Sequence, residues 1–69
     1  MIEVFKTNVQ ELNAARELIQ CLSQHFLASK ITFDLEDCDK VLRVEGTEIC
    51  PNKVMELVMD AGYACDVME

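Results

Sequence analysis

Strict alternation of apolar and polar residues in KITFDLE, residues 30–36, is the feature that most restricts the fold of this chain. Ile31, Phe33 and Leu35 fall on one side of an extended backbone, and the polar residues between them fall on the other. Successive side chains of a strand point to opposite faces of a sheet, so this period of two indicates a strand. The segment therefore predicts a half-buried strand, with one face on a core.

Helical spacing of apolar residues precedes this strand, over residues 10–26. The predicted buried stripe of the first helix, with Leu18 at its edge, consists of Leu12, Ala15, Ile19, Leu22 and Phe26. Asn8 is predicted to cap the helix, because its side chain can accept a hydrogen bond from an unpaired backbone N–H, and Glu11 follows three residues later as in a capping box.

A second helix is predicted to begin near Cys50, because Pro51 suits the first helical position, where a missing N–H costs nothing. Gly62 is predicted to end it, as glycine commonly does just after the last helical turn. The apolar stripe of this helix consists of Val54, Leu57, Val58 and Ala61.

Three further strands are predicted in residues 2–6, 40–46 and 63–68, and residues 36–39 form a turn. The element order is then βαββαβ. With right-handed crossovers, this order predicts an antiparallel sheet of strand order 4-1-3-2 with both helices on one face, the ferredoxin-like α+β fold. The whole chain, residues 1–69, is expected to form this single domain.

Length and composition limit the functional classes. The chain has 69 residues and a net charge of −7, with only six scattered Lys and Arg residues. Nucleic-acid binding needs clustered basic side chains, so none is expected. No window resembles an export signal or the roughly 20 apolar residues that cross a bilayer, so we expect a cytoplasmic protein without membrane insertion. One histidine and no glycine-rich phosphate loop predict no enzyme.

The four cysteines, Cys21, Cys38, Cys50 and Cys65, form no CxxC motif and are expected to be reduced thiols. Cys50 is the reactive-thiol candidate, because the dipole and unpaired N–H groups at a helix N-terminus favour a thiolate. The alternative is that Cys50 only fills a half-buried position. Cys65 alternates with apolar residues and is predicted to lie in the core.

Three segments carry a resemblance to a known family: FKTNV before the first helix, DKVLRVEG in the third strand and LVMDAGY at the end of the second helix. With these segments the chain resembles, over essentially its whole length, the heavy-metal-associated domain of small copper chaperones and metal-transporting ATPases. That family holds Cu(I) through a CxxC motif in the loop after the first strand, since thiolates are the soft ligands such ions need. Aligning on FKTNV places Glu11 and Ala14 at the two cysteine positions, so the resemblance implies the fold without the metal pair.

Other side chains could in principle replace that pair. Glu11, Asp37, Cys38 and Asp39 are expected at the same end of the molecule, as weak metal-ligand candidates or simply as an exposed acidic turn. Cys21 and His25, four residues apart on the first helix, would supply only two ligands. Structural zinc sites need four converging nitrogen or sulfur ligands, so we expect no cofactor and no tight metal binding.

The sheet face away from the helices is the predicted interaction face. It is expected to carry Thr32, Asp34, Val41, Arg43, Ala64 and Met68, with either Val4 or Phe5. Val41, Met68 and the apolar residue of the first strand would form a small apolar patch that a protein partner or a weak homodimer contacts. Three functions remain open: a protein-binding module with a degenerate metal loop, a copper or zinc carrier with unconventional ligands, and a dimeric small-molecule sensor.

Overall fold

The computed structural model describes residues 1–68. Six elements follow one another in the predicted βαββαβ order, which is confirmed. They are β1 (Ile2–Thr7), α1 (Leu12–His25), β2 (Lys30–Asp34), β3 (Val41–Glu45), α2 (Pro51–Asp60) and β4 (Cys65–Val67).

The four strands form one antiparallel sheet in the order β2-β3-β1-β4. Read from the opposite edge, this is the predicted order 4-1-3-2. The inner strand β3 pairs with β2 through Phe33 and Leu42, and β1 pairs with β3 through Phe5 and Leu42. On its other side, β1 pairs with β4 through Phe5 and Val67. The register brings the apolar positions of the inner strands side by side.

One cluster of buried side chains joins both helices to one face of the sheet. Its members are Phe5, Val9, Ala15, Leu18, Leu22, Ile31, Leu42, Val44, Ile49, Val54, Val58 and Cys65. No buried residue among residues 1–68 is polar or charged. Burying a large apolar side chain stabilises a fold by about 1.5–3 kcal/mol, so this cluster supplies most of the stabilisation.

Helix α1 begins two residues later than predicted, and the prediction that Asn8 caps it is wrong. Glu11 occupies the N-cap, and its side chain makes no capping hydrogen bond in the described structure. Asn8 lies too early in the chain, and its Oδ1 instead accepts a hydrogen bond from the backbone N–H of Ala64 at 2.8 Å. A tertiary contact therefore uses the side chain that local sequence assigned to the helix.

The buried stripe of α1 is also displaced from the predicted one. Ala15, Leu18 and Leu22 are its buried residues, so Leu18 lies at the centre of the stripe and not at its edge. Leu12, the first residue of the helix, is 57% exposed and does not belong to the buried stripe. On α2, Val54 and Val58 are fully buried as predicted, whereas Ala61 is exposed at the C-cap.

Both predicted ends of α2 are confirmed. Pro51 is the first helical residue, after Cys50 at the N-cap. At the other end Gly62 has a φ of 98°, a conformation that costs glycine little. The N–H of Gly62 donates to the carbonyl of Met59, and the N–H of Tyr63 donates to the carbonyl of Val58. These two bonds form a Schellman motif, which satisfies carbonyls at the helix end.

Strand β4 is shorter than predicted and comprises Cys65–Val67. Tyr63 belongs to the helix-terminating motif, and the N–H of Ala64 is bonded to Asn8. Ala64, predicted to lie on the open sheet face, is exposed and precedes the first residue of β4. The prediction that Cys65 lies in the core is confirmed, because its exposed fraction is 4%.

Candidate functional site

Three loops meet at the end of the molecule where the resemblance would place a metal. The N–H of Thr7 donates to the carbonyl of Asp39 at 3.0 Å, and its Oγ1 donates to the carbonyl of Lys40 at 2.7 Å. The bond from Ala64 to Asn8 adds the α2–β4 loop. The β1–α1 loop is thus tied to both of its neighbours.

The two positions aligned with the family's cysteines lie at the start of α1. Glu11 is exposed at the N-cap, and Ala14 is half-buried in the first turn. Val9, between them and β1, is fully buried and anchors the loop in the core. A carboxylate and a methyl group do not reproduce a pair of thiolates, which are the ligands that Cu(I) prefers.

Asp37, Cys38 and Asp39 are brought together in the β2–β3 turn. A possible ligand atom from each lies within 4.8 Å of the others, and Glu11 does not belong to this group. Asp37 Oδ1 accepts a hydrogen bond from the N–H of Asp39 at 2.9 Å, which shapes the turn. The group offers one sulfur and two carboxylates, one ligand short of the usual four-coordinate zinc site and poor in nitrogen and sulfur.

The other candidate pair is spread along α1. Cys21 is half-buried and His25 is exposed in the last turn. Among residues 1–68 the only group of three or more potential ligands is the one in the β2–β3 turn. In the part of the chain that the structure describes, Cys21 and His25 therefore have no third potential metal ligand beside them.

The four cysteines are free thiols in different surroundings. Cys50 is exposed at the N-cap of α2, and its side chain makes no capping hydrogen bond in the described structure. Burial, together with the nearby Asp66 carboxylate, raises the pKa of Cys65 to about 11. Cys38 is exposed, and Cys21 is half-buried. The accessible thiols therefore lie in the β2–β3 turn and at the start of α2.

The sheet face opposite the helices is not covered by any element of residues 1–68. Phe5 is fully buried in the core, so of the two residues left open by the sequence it is Val4 that lies on this open face. We call the open face the set Ile2, Val4, Lys6, Lys30, Thr32, Asp34, Val41, Arg43, Glu45, Asp66 and Met68.

The apolar patch on the open face differs from the predicted one. Val41 is only 8% exposed, because it lies on an inner strand opposite Asp34 and neighbouring strands flank its short side chain. The prediction that Val41 contributes an accessible apolar surface is therefore wrong. Ile2, at 53% exposed, and Met68, at 37%, are the accessible apolar residues there. Arg43 is exposed on this face as predicted.

A groove of about 230 Å³ lies at one end of the open face, over β1, β2 and β3. Ile2, Lys30, Thr32, Arg43 and Glu45 line it. The strand register accounts for the groove, because Lys30 lies opposite Glu45 and Thr32 lies opposite Arg43. Sequence reasoning missed three of these residues. Ile2, Lys30 and Glu45 lie at strand ends, where an alternating pattern carries least information, and only the register brings them together.

Among residues 1–68, no helix has the length and apolar character that a membrane span requires. Comparisons with known proteins do not assign this chain to a family. No protein-family model matches the chain, and neither the curated proteins nor the solved structures compared with it contain a match.

Proposed function

We propose that this chain is a small non-enzymatic binding module, similar to the heavy-metal-associated domain but with a degenerate metal loop, that acts through protein–protein contacts. The observation that carries the proposal is the open face. It presents the exposed side chains of Ile2, Arg43 and Met68, while all of the clustered core lies on the other side of the sheet. Accessible apolar residues with a charged rim mark contact surfaces.

The geometry of the candidate site supports a role that involves no catalysis. The single histidine, His25, is exposed at the end of α1. No polar or charged side chain is buried in residues 1–68, whereas catalytic groups usually lie in clefts that alter their protonation. These observations favour a binding module over an enzyme.

Metal transport with unconventional ligands is the second candidate function, and the turn that holds Asp37, Cys38 and Asp39 is the observation that favours it. Titration with Cu(I) and Zn(II) against a strong chelator tests it. We expect no stoichiometric metal binding, because one thiol does not form a soft-metal site. Stoichiometric binding that disappears in Cys38→Ser would contradict the proposal, and Cys21→Ser is the matched control.

Small-molecule sensing is the third candidate, and the groove of about 230 Å³ is the observation for it. Ligand pockets usually measure about 300–1,000 Å³ and enclose most of their ligand. A groove that is smaller and open suits a protein side chain better than a whole metabolite. A thermal-shift screen of metabolites is expected to find no stabilising ligand.

The protein-contact role is tested with matched methionine variants of the immobilised chain. Met68→Glu places a charge on the open face, whereas Met59→Glu places one on the exposed side of α2, where Met59 is 53% exposed. We expect the wild type and Met59→Glu to retain the same specific protein, and Met68→Glu to lose it. Equal retention by all three would refute a role for the open face.

A further inference from the structure

Charge is distributed unevenly between the open face and the rest of the molecule. Half of the basic residues of the chain lie on the open face, beside an equal number of acidic residues; these are Lys6, Lys30 and Arg43, with Asp34, Glu45 and Asp66. The described residues elsewhere carry nine carboxylates against three basic side chains. The open face is therefore neutral, and the acidic charge lies outside it.

This distribution selects among partners. Strongly acidic or basic partners are recognised by a surface of opposite sign, which a neutral face does not provide. Two copies of an acidic protein repel each other through any surface that carries the excess charge. They can meet with the least repulsion through the open face, where each basic side chain can find a carboxylate on the other copy.

A small apolar pair, Val4 and Met68, lies on the β1–β4 side of the open face. The N–H of Met68 donates to the carbonyl of Val4 at 2.8 Å, so these two residues are neighbours across β1 and the end of β4. Val4 lies opposite Arg43 of β3. Methionine is flexible and adapts to a second surface, including a copy of itself. Apolar side chains surrounded by charged ones have, on a small scale, the arrangement of an interface with an apolar core and a polar rim.

The sheet limits the area of the contact. Four strands spaced about 4.8 Å apart, the longest of six residues at about 3.3 Å per residue, form a face of roughly 400 Å² per copy, below the about 800 Å² per partner of standard stable interfaces. An interface of this size fits a reversible association.

We propose that the partner of the open face is a second copy of this chain, and that the two sheets pack face to face in a reversible two-fold dimer. This inference rests on the proposed function and names its partner. The dimer buries Val4, Met68 and the groove beside Arg43, and it leaves both helix layers and their acidic side chains in water.

Sedimentation equilibrium over a range of protein concentrations tests the dimer, with circular dichroism to check that each variant is folded. We expect a monomer–dimer equilibrium for the wild type and for Met59→Glu, and a dissociation constant at least tenfold higher for Met68→Glu. Arg43→Glu, a second exposed position on the open face, is expected to weaken the dimer as well.

Two results would overturn the dimer: a wild-type monomer at every concentration, or equal weakening by Met59→Glu and Met68→Glu. The retention experiment separates this failure from failure of the proposed function. If the wild type is a monomer but a different protein is lost specifically from Met68→Glu, the second copy is wrong and the contact role stands. If the wild type is a monomer and no variant changes retention, both are wrong.

Discussion

On β3, Leu42 and Val44 point to the helix-covered face of the sheet and are fully buried, whereas Arg43 and Glu45 point to the open face and are exposed. The same strand thus serves two surfaces with opposite chemistry. The covered face contains apolar side chains in one continuous cluster, and the open face carries six charged residues around Val4 and Met68.

This difference separates stability from recognition. Burial of apolar area stabilises a domain, while exposed ion pairs contribute only about 0–1 kcal/mol each. We therefore expect substitutions on the covered face to change the free energy of unfolding, and substitutions on the open face to change association. The predictions that follow test this separation, in order of decreasing effect.

The largest effect is expected from Leu42→Ala. Leu42 is fully buried at the centre of the sheet, so truncation removes transfer free energy and leaves a cavity. We expect a loss of about 3 kcal/mol in the free energy of unfolding, measured by urea denaturation. Arg43→Ala, one residue away on the open face, is the control and is expected to change it by less than about 0.5 kcal/mol. Similar losses in both variants would contradict the separation of the two faces.

A pH-dependent loss of stability is expected from Cys65 on the covered face. Folding raises the pKa of this thiol from 9.0 to about 11, so the thiol is protonated in both states well below pH 9. Between pH 9 and about 11 the unfolded chain releases the proton while the folded chain keeps it, and stability falls by about 2 kcal/mol.

Urea denaturation at a series of pH values checks this loss. Cys65→Ala is expected to have a shallower decline than the wild type above pH 9, although its stability at neutral pH is lower. Cys38→Ser, which removes an exposed thiol, is the control and should retain the wild-type slope. Identical slopes for Cys65→Ala and the wild type would show that burial of Cys65 does not govern the decline.

A smaller loss of stability is expected from Asn8→Ala in the β1–α1 loop. This change removes the hydrogen bond to the N–H of Ala64, which is exposed and can bind water instead, so we expect a loss of up to about 1 kcal/mol. Hydrogen exchange at the Ala64 amide should accelerate. Asn13→Ala, on the exposed side of α1, is the control, and unchanged exchange at Ala64 in Asn8→Ala would refute the contact.

Alkylation of the four cysteines measures how accessible and reactive each thiol is, without any substitution that changes stability. Cys50 is exposed where the positive end of the α2 dipole attracts developing negative charge, and we expect it to be alkylated first. Cys38 should follow, and buried Cys65 should react last. Mass mapping over a time course measures the order. Labelling of Cys38 before Cys50 would mean that exposure alone governs reactivity.

Local patterns in the sequence were enough for the element order, the sheet topology and the parity of the two best-patterned strands. Alternation in β2 and β3 identified their buried sides, and Pro51 and Gly62 marked the ends of α2. The turn that joins Asp37 to Asp39 was also visible, because neighbours in a turn are neighbours in space. These features depend on residues within a few positions of one another.

Only the tertiary structure decided the start of α1, the parity of β1 and the accessible residues of the open face. Asn8 accepts a hydrogen bond from a residue 56 positions away. Neighbouring strands bury Val41, and the sheet brings Ile2, Lys30 and Glu45 together to line the groove. Whether a side chain is buried or bonded in such places depends on which distant segment packs beside it. That neighbour is determined by strand register and helix packing, which no local period encodes.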